Sequence, residues 1–272
     1  MKSLKKKYIL KPKTTFLDIL KRLLKEPIAY DEFLNLLEIS ADRFYDNSNL
    51  EFELLLINGL PLDIKNDFVF LKTTQTLIPE QTFCFVDIET NGGTPKKGFQ
   101  IIELGAVKYK NGEVLDSFNS LVFAKEIPPY IQEVTKITPS MLETAPRIEK
   151  VLKDFKEFLG DDVFIAHDIK FDYNFISDSF EKYSLGKLLN RKLCTIDLAK
   201  RTIKSEKYGL SSLKELLNID IENHHRAYYD ALTTQIVFEK CLKNIDTNKI
   251  KTVEDLINFS KSDSIIKNEI KR

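Results

Sequence analysis

Apolar residues recur at helical spacing in TTFLDILKRLLK (14–25), where Phe16, Ile19, Leu20, Leu23 and Leu24 share a face and Pro27 stops the run. The segments YDEFLNLLEIS and NLEFELLLING repeat the pattern, the second with Asn49 as its cap and with Gly59 and Pro61 ending it. In PLDIKNDFVFLKT the pattern predicts two short strands, with Lys65, Asn66 and Asp67 at the turn and Phe68 to Leu71 as the return strand. Three helices followed by a hairpin is the order of a winged helix, so residues 1–75 are expected to form a small winged-helix-like α+β domain. Its third helix opens with Glu51 and Glu53, a poor face to offer phosphates. Docking onto a partner or onto the rest of the chain is therefore the expected use of this module, ahead of DNA reading.

The stretch TTQTLIPEQ, with residues 76–80 at its heart, is expected to be a linker. Beyond it lie three apolar strands, at 82–88, 100–109 and 114–123, with Asn111-Gly112 as the hairpin turn between the last two. Helical and strand patterns then alternate. RIEKVLKDFKEFLG is a helix, DVFIAH a strand, FDYNFISDSFEKY a helix and KLCTID a strand or strand end; LSSLKELLN and the long AYYDALTTQIVFEKCLKN close the series. An antiparallel meander leading into βα units predicts an α/β domain with a mixed sheet over residues 81–243. Residues 244–272 form a charged tail with one short helix, TVEDLINFS, which Thr252 can cap and which either packs back on the domain or serves a partner. The last residues, KSDSIIKNEIKR, are expected to fray.

Composition supports this division, since 272 residues, 43% of them hydrophobic, suffice for one full domain and a smaller one. The 41 basic and 41 acidic residues cancel, so a polyanion must be held locally and not by a general field. Cys84, Cys194 and Cys241 are far apart and form no CxxC pair, which argues against a disulfide framework or a thiolate zinc site and for a reducing cytoplasm. In the basic start MKSLKKKYILKPK only Tyr8, Ile9 and Leu10 form an apolar run, too short for a signal peptide or a membrane helix; no membrane partner is expected.

The chemistry begins at FVDIETNGG (85–93). Side chains two apart share a face of a strand, so Phe83, Phe85, Asp87 and Glu89 line one side, and Cys84, Val86 and Ile88 the other. Both faces are apolar until residue 87, as in a central strand with an acidic exit, and such carboxyl ends are where α/β sheets place their sites. Asp172, in AHDIKFDYNF, starts a helix just after the strand DVFIA. Asp230 falls in the first turns of the last long helix, in NHHRAYYDAL, and His225 is expected in the loop before it, leaning over the same site. Carboxylates sharing a cleft repel one another, and two Mg²⁺ or Mn²⁺ ions resolve this: they take oxygen ligands and, about 3.5–4 Å apart, clamp an in-line phosphoryl displacement.

The order DIET, HDxxFD, HHRAxxDA resembles the three motifs of DEDD-type 3′–5′ exonucleases of the DnaQ family, in the variant whose last motif is H-x4-D. GFQIIELGAVKYKNGEVLDSFNSLV and ITPSMLETAPRIEKVLKDFKEFLGDDVFIAH are also similar to that family, and the likeness covers about residues 81–243. It implies a ribonuclease H-like fold with a five-stranded mixed sheet, as in the polymerase III epsilon proofreading subunits, ribonuclease T and oligoribonuclease. By the same resemblance Asp87, Glu89, Asp172 and Asp230 hold two Mg²⁺ or Mn²⁺ ions, Glu89 counting also among the catalytic groups. His225 is then the general base, a role that suits an imidazole with its ordinary pKa of about 6.5, and Thr90 approaches the terminal nucleotide. The implied activity is metal-dependent release of nucleoside 5′-monophosphates from single-stranded or frayed 3′ ends of DNA, proofreading for a replicative DNA polymerase catalytic subunit to which the tail is a candidate tether. A stand-alone DNA-repair or RNA-processing exonuclease of the same family is the alternative, and a non-catalytic nucleic-acid-binding or scaffold protein a second. His224 is expected to be a structural neighbour of the base, and His167 to order the strand-to-helix turn. Two positions depart from the family pattern: Asp168 stands where asparagine is usual, and Lys136 where glycine is frequent.

Overall fold

In the computed structural model, residues 14–43, 45–221 and 225–261 are described. They divide into two compact units, residues 14–57 with 62–72, and residues 58–61 with 73–261. The first unit contains α1 (Phe16–Leu23), β1 (Ile28–Ala29), α2 (Tyr30–Ile39), α3 (Ser48–Ile57), β2 (Leu62–Lys65) and β3 (Phe68–Leu71), with the strands in antiparallel order β1-β3-β2. Asn66 and Asp67 both take positive φ, which makes the two-residue hairpin turn. The periodic residues Ile19, Leu23, Phe33, Leu37, Phe52 and Leu55 are buried, and the Phe33 and Phe52 rings meet edge to face at 5.6 Å. The two-residue β1 is additional to the sequence expectation, and the cap of α3 differs from it. Asn47 accepts from the amides of Asn49 and Leu50 at 3.0 Å, while the Asn49 side chain accepts from the Tyr30 hydroxyl.

The second unit is built on a five-stranded mixed sheet. Its strands are β4 (Phe83–Thr90), β5 (Ile101–Lys110), β6 (Glu113–Leu121), β7 (Val163–Ala166) and β8 (Lys192–Cys194), in the order β6-β5-β4-β7-β8. β4 lies antiparallel to β5 and parallel to β7. Between β6 and β7 come α4 (Pro129–Thr135), α5 (Pro139–Leu142) and α6 (Ile148–Leu159). α7 (Ile169–Lys182) joins β7 to β8, and α8 (Thr195–Thr202), α9 (Leu210–Leu216), α10 (Ala227–Leu242) and α11 (Val253–Lys261) follow.

The period of two along β4 sorts two cores. Phe83 and Phe85 pack with Val107, Ile165 and Leu193 against α10, where Phe238 comes within 5.0 and 5.2 Å of the two rings. Cys84, Val86 and Ile88 face α6 and α7 through Leu152, Phe155, Ile176 and Phe180. With both faces covered, β4 is a buried central strand, and only its exit can carry polar groups.

The segment expected to be a linker is bonded to this unit. Leu77 bridges Thr252, the Ile78 amide donates to the Lys251 carbonyl, and the Val253 amide donates to the Thr76 carbonyl. α11 likewise packs back on the domain, burying Val253, Leu256 and Ile257 in the core that holds Phe83. Thr252 caps it, accepting from the Asp255 amide at 3.1 Å. The stretch KSDSIIKNEIKR lies outside the described residues beyond Lys261. No helix among the described residues is long and apolar enough to cross a membrane.

Candidate active site

Parallel pairing of β4 with β7 puts the carboxyl ends of two neighbouring strands side by side. From the first come Asp87 and Glu89. From the second the chain passes through His167 and Asp168 into α7, whose first turn carries Asp172. α10 supplies the third contribution, with Asp230 in its first turn. Asp87, Glu89, Asp172, Asp230 and His225 all line one cavity of about 260 Å³, together with Ile88, His167, Asp168, Phe171, Leu210 and Ser211.

Two glycine and carboxylate devices on β5 bring α10 this close. Gly105 is the register partner of Asp87, and a Cβ on it would lie 2.2 Å from the Tyr228 nitrogen and 2.3 Å from the Ala227 carbonyl carbon, so the helix backbone rests directly on the strand. Glu103, the register partner of Glu89, is fully buried. It accepts from Arg226 Nε at 3.0 and 3.1 Å, from Arg226 Nη2 at 2.7 Å and from the Ala227 amide at 3.0 Å. The first amide of α10 thereby gains a partner, and a negative charge sits at the positive end of the helix. Neither residue was singled out in the sequence. A glycine and a glutamate inside the apolar run IIELGAV were the available signal, since strand interiors disfavour both unless a backbone or a cation approaches.

The carboxylates are under electrostatic load. Burial, followed by repulsion from Asp172, Asp230 and Glu89, holds Asp87 protonated well above the usual carboxylate range. Glu89 is pushed up to about 8 by burial and by Asp230 and Glu103, with Arg226 acting in the opposite direction. Asp172 is likewise raised, chiefly by burial, against hydrogen bonds from its own backbone and that of Ile88. Glu89, His225 and Asp230 each present a ligand atom, and the three atoms lie within 4.8 Å of one another. An all-oxygen carboxylate set with one imidazole, desolvated and self-repelling, fits hard divalent cations.

His225 stands in the loop before α10 with φ 59°, exposed, and its amide donates to Asp230 Oδ2 at 3.1 Å. His224 lies outside the described residues. His167 binds three segments at once: Nδ1 is 2.8 Å from Thr195 Oγ1 and Nε2 is 2.9 Å from the Tyr208 carbonyl. A carbonyl only accepts, so Nε2 carries the proton, and burial keeps the ring neutral by lowering its pKa. This tether places Leu210 and Ser211, just beyond Tyr208, on the cavity wall. Thr90 is not among the lining residues; it is buried, and its hydroxyl donates to the Gly92 carbonyl at 2.8 Å. Asp168 and Lys136 share a property, for both adopt left-handed backbone, at φ 78° and 60°. Asparagine and glycine are the residues that tolerate this conformation best, which accounts for the pattern from which the two positions depart.

The profile of the exonuclease family RNase_T matches residues 84–238. Among curated proteins, the DNA polymerase III PolC-type of Staphylococcus haemolyticus (strain JCSC1435) is 35% identical over 206 residues, covering 75% of this chain and 14% of that protein. The same polymerase from Staphylococcus aureus is 36% identical over 195 residues, covering 71% and 13%. The chain thus spans about one seventh of the length of these relatives. Solved structures with the same fold include exonuclease X in complex with 5′ overhanging duplex DNA, at TM-score 0.51 and 23% identity, covering 65% of this chain and 99% of that one. Escherichia coli exonuclease I in complex with a dA16 oligonucleotide aligns at TM-score 0.53 and 15% identity, covering 66% and 42%. The five-stranded mixed sheet and its flanking helices are accordingly ribonuclease H-like.

Proposed function

From the premise that this chain belongs to the RNase_T exonuclease family, whose DnaQ-like members are 3′–5′ exonucleases, we propose that it removes nucleoside 5′-monophosphates from DNA 3′ ends as a proofreader for a replicative DNA polymerase. The observation that carries this reading is the meeting of Asp87, Glu89, Asp172, Asp230 and His225 around one cavity. The four carboxylates would hold two Mg²⁺ or Mn²⁺ ions, which would supply positive charge to an in-line phosphoryl displacement. His225, exposed at the mouth, takes the proton of the attacking water. Its loop position lets it do so without withdrawing Asp230, which its own backbone amide holds.

Phe171 is 44% exposed at the rim, and its ring lies 5.9 Å from that of Phe175. It offers the penultimate base a stacking face, of a kind that binds any sequence. The chain's balanced charge fits a site that grips only the last few nucleotides. The polymerase role rests on the identity shared with the PolC-type enzymes, and it implies the cytoplasm as the compartment. For the first unit, whose α3 exposes Glu53 but buries Glu51, docking is proposed ahead of DNA reading.

Incubation with Mn²⁺ and a 5′-labelled primer bearing a 3′ mismatch tests the activity. A ladder shortening from the 3′ end with release of mononucleotide is expected, and Asp87→Ala should abolish it. Absence of mononucleotide, or full activity of Asp87→Ala, overturns the reading. An RNA primer of the same sequence in a parallel reaction, cleaved faster than the DNA, would instead support RNA processing.

A further inference from the structure

Among the described residues, Arg226 is the cation beside this carboxylate cluster whose interaction reaches Glu89. Left to itself, a guanidinium next to a desolvated carboxylate forms a two-pronged pair and removes that carboxylate from any cation site. The structure shows a second carboxylate intercepting it. Glu103 faces Glu89 across the β4–β5 ladder, its side chain is 1% exposed, and it takes both Nε and Nη2 of Arg226. Oε2, which also accepts from Arg226 Nε, accepts from the Ala227 amide as well, and this anchors the carboxylate to the start of α10. Nothing in the proposed chemistry uses Glu103, and a fully buried charge on an apolar strand is costly unless its partner is held.

We propose that Glu103 is a positioning residue which holds the Arg226 guanidinium off Glu89 and so leaves Glu89 free to ligate a divalent cation. The inference rests on the cation-dependent exonuclease reading above. In this arrangement Arg226 still softens the repulsion between Glu89 and Glu103, but its hydrogen-bonding fork is spent on Glu103. Without the Glu103 charge, the fork turns to Glu89 and competes with the metal.

Mn²⁺ binding to the full chain, followed without nucleic acid by the loss of the free-ion electron paramagnetic resonance signal, tests this. Glu103→Gln is expected to weaken binding roughly 10–100-fold, the usual effect of a residue that orients a metal ligand. The double variant Glu103→Gln/Arg226→Ala is expected to regain most of that loss, because the competing cation is gone. A merely structural role for Glu103 predicts the reverse, with the double variant at least as weak as the single. Arg226→Lys, at a side chain 29% exposed, covers the case in which Glu103→Gln does not fold. It keeps the charge but loses the two-pronged hold of Glu103, so the flexible ammonium is released to pair with Glu89, and weaker Mn²⁺ binding is expected. Unchanged binding in Glu103→Gln or in Arg226→Lys, or no recovery in the double variant, overturns the inference. The two readings separate cleanly: a parent that binds Mn²⁺ without releasing mononucleotide counts against the exonuclease reading alone, whereas a parent that cleaves normally beside an equally tight Glu103→Gln counts against the inference alone.

Discussion

A single residue, His225, separates two accounts of the cavity. It lies close enough to Glu89 and Asp230 to share a cation with them, yet it is exposed and sits outside the helix that carries Asp230. As the proton acceptor, its removal should cost about 10²–10⁴-fold in turnover while Mn²⁺ affinity stays near that of the parent. His225→Ala assayed for both turnover and Mn²⁺ binding decides this, and a parallel collapse of binding would make the imidazole a ligand. The five residues that line the cavity together were legible in the sequence because polar groups interrupt an apolar pattern near strand exits and helix starts, and because their order resembles the family's motifs. Thr90 entered through the family resemblance alone, as a contact to the terminal nucleotide. It is buried with its hydroxyl on the Gly92 carbonyl, just past a register shift between Glu89 and Thr90 that no periodicity announces. Lys136 offers a complementary test, since its left-handed backbone at φ 60° is strained for any side chain. Lys136→Gly should be neutral or stabilising by up to about 1 kcal/mol in urea melts, provided that relief of strain exceeds the entropy glycine adds to the unfolded chain.

At the scale of elements, hydrophobic period located the long helices and the five strands of the main sheet, but it missed β1 and the short helices α4, α5 and α8 and was silent on what joins them. Residues 76–80 are a short proline-containing stretch without helix or strand period, as in a linker, whereas their backbone pairs with the segment entering α11. Such pairing is made by main-chain groups that any sequence possesses, so composition could not reveal it. Below the pairing lies a second buried ion pair: Arg191 binds Glu254 of α11 through Nη2 and through Nε at 3.1 Å, and Thr73 donates to the same carboxylate at 2.9 Å. Glu254→Gln should destabilise the second unit by about 3–5 kcal/mol, because Arg191 is left buried without its counter-charge. The seat of α10 on β5 is a sterner case. Gly105→Ala places a methyl where helix backbone already lies at 2.2 Å, and the helix must retreat with Asp230 and His225. Beyond an overpacking cost of about 1–3 kcal/mol, exonuclease activity should fall far more than stability does. An active Gly105→Ala enzyme would show that the helix position is not what sets the site.

For the whole molecule, neutral net charge conceals an uneven distribution, with a self-repelling acidic centre inside a balanced surface. Folding the cation-free chain must therefore bury carboxylates that prefer to keep their protons. Glu89 titrates near 8 in the folded state against 4.5 when unperturbed, and Asp87 and Asp172 are raised as well. Between those pH values the folded chain holds more protons than the unfolded one, so stability falls as pH rises. His167 acts with the opposite sign. Burial lowers its pKa below 6.5, so it adds stability as pH rises towards that value, and its contribution is complete by about pH 7. The interval from pH 7 to 8 thus isolates the carboxylates. In EDTA the melting temperature should decline across it, and Mn²⁺ should raise the melting temperature by more at pH 8 than at pH 6, since cations replace protons only where protons have become scarce. Asp87→Asn removes one of the competing charges, and calorimetric scans should find both the decline and the Mn²⁺ gain reduced. A Mn²⁺ gain of equal size at pH 6 and pH 8 would mean that the cation binds somewhere other than this buried cluster.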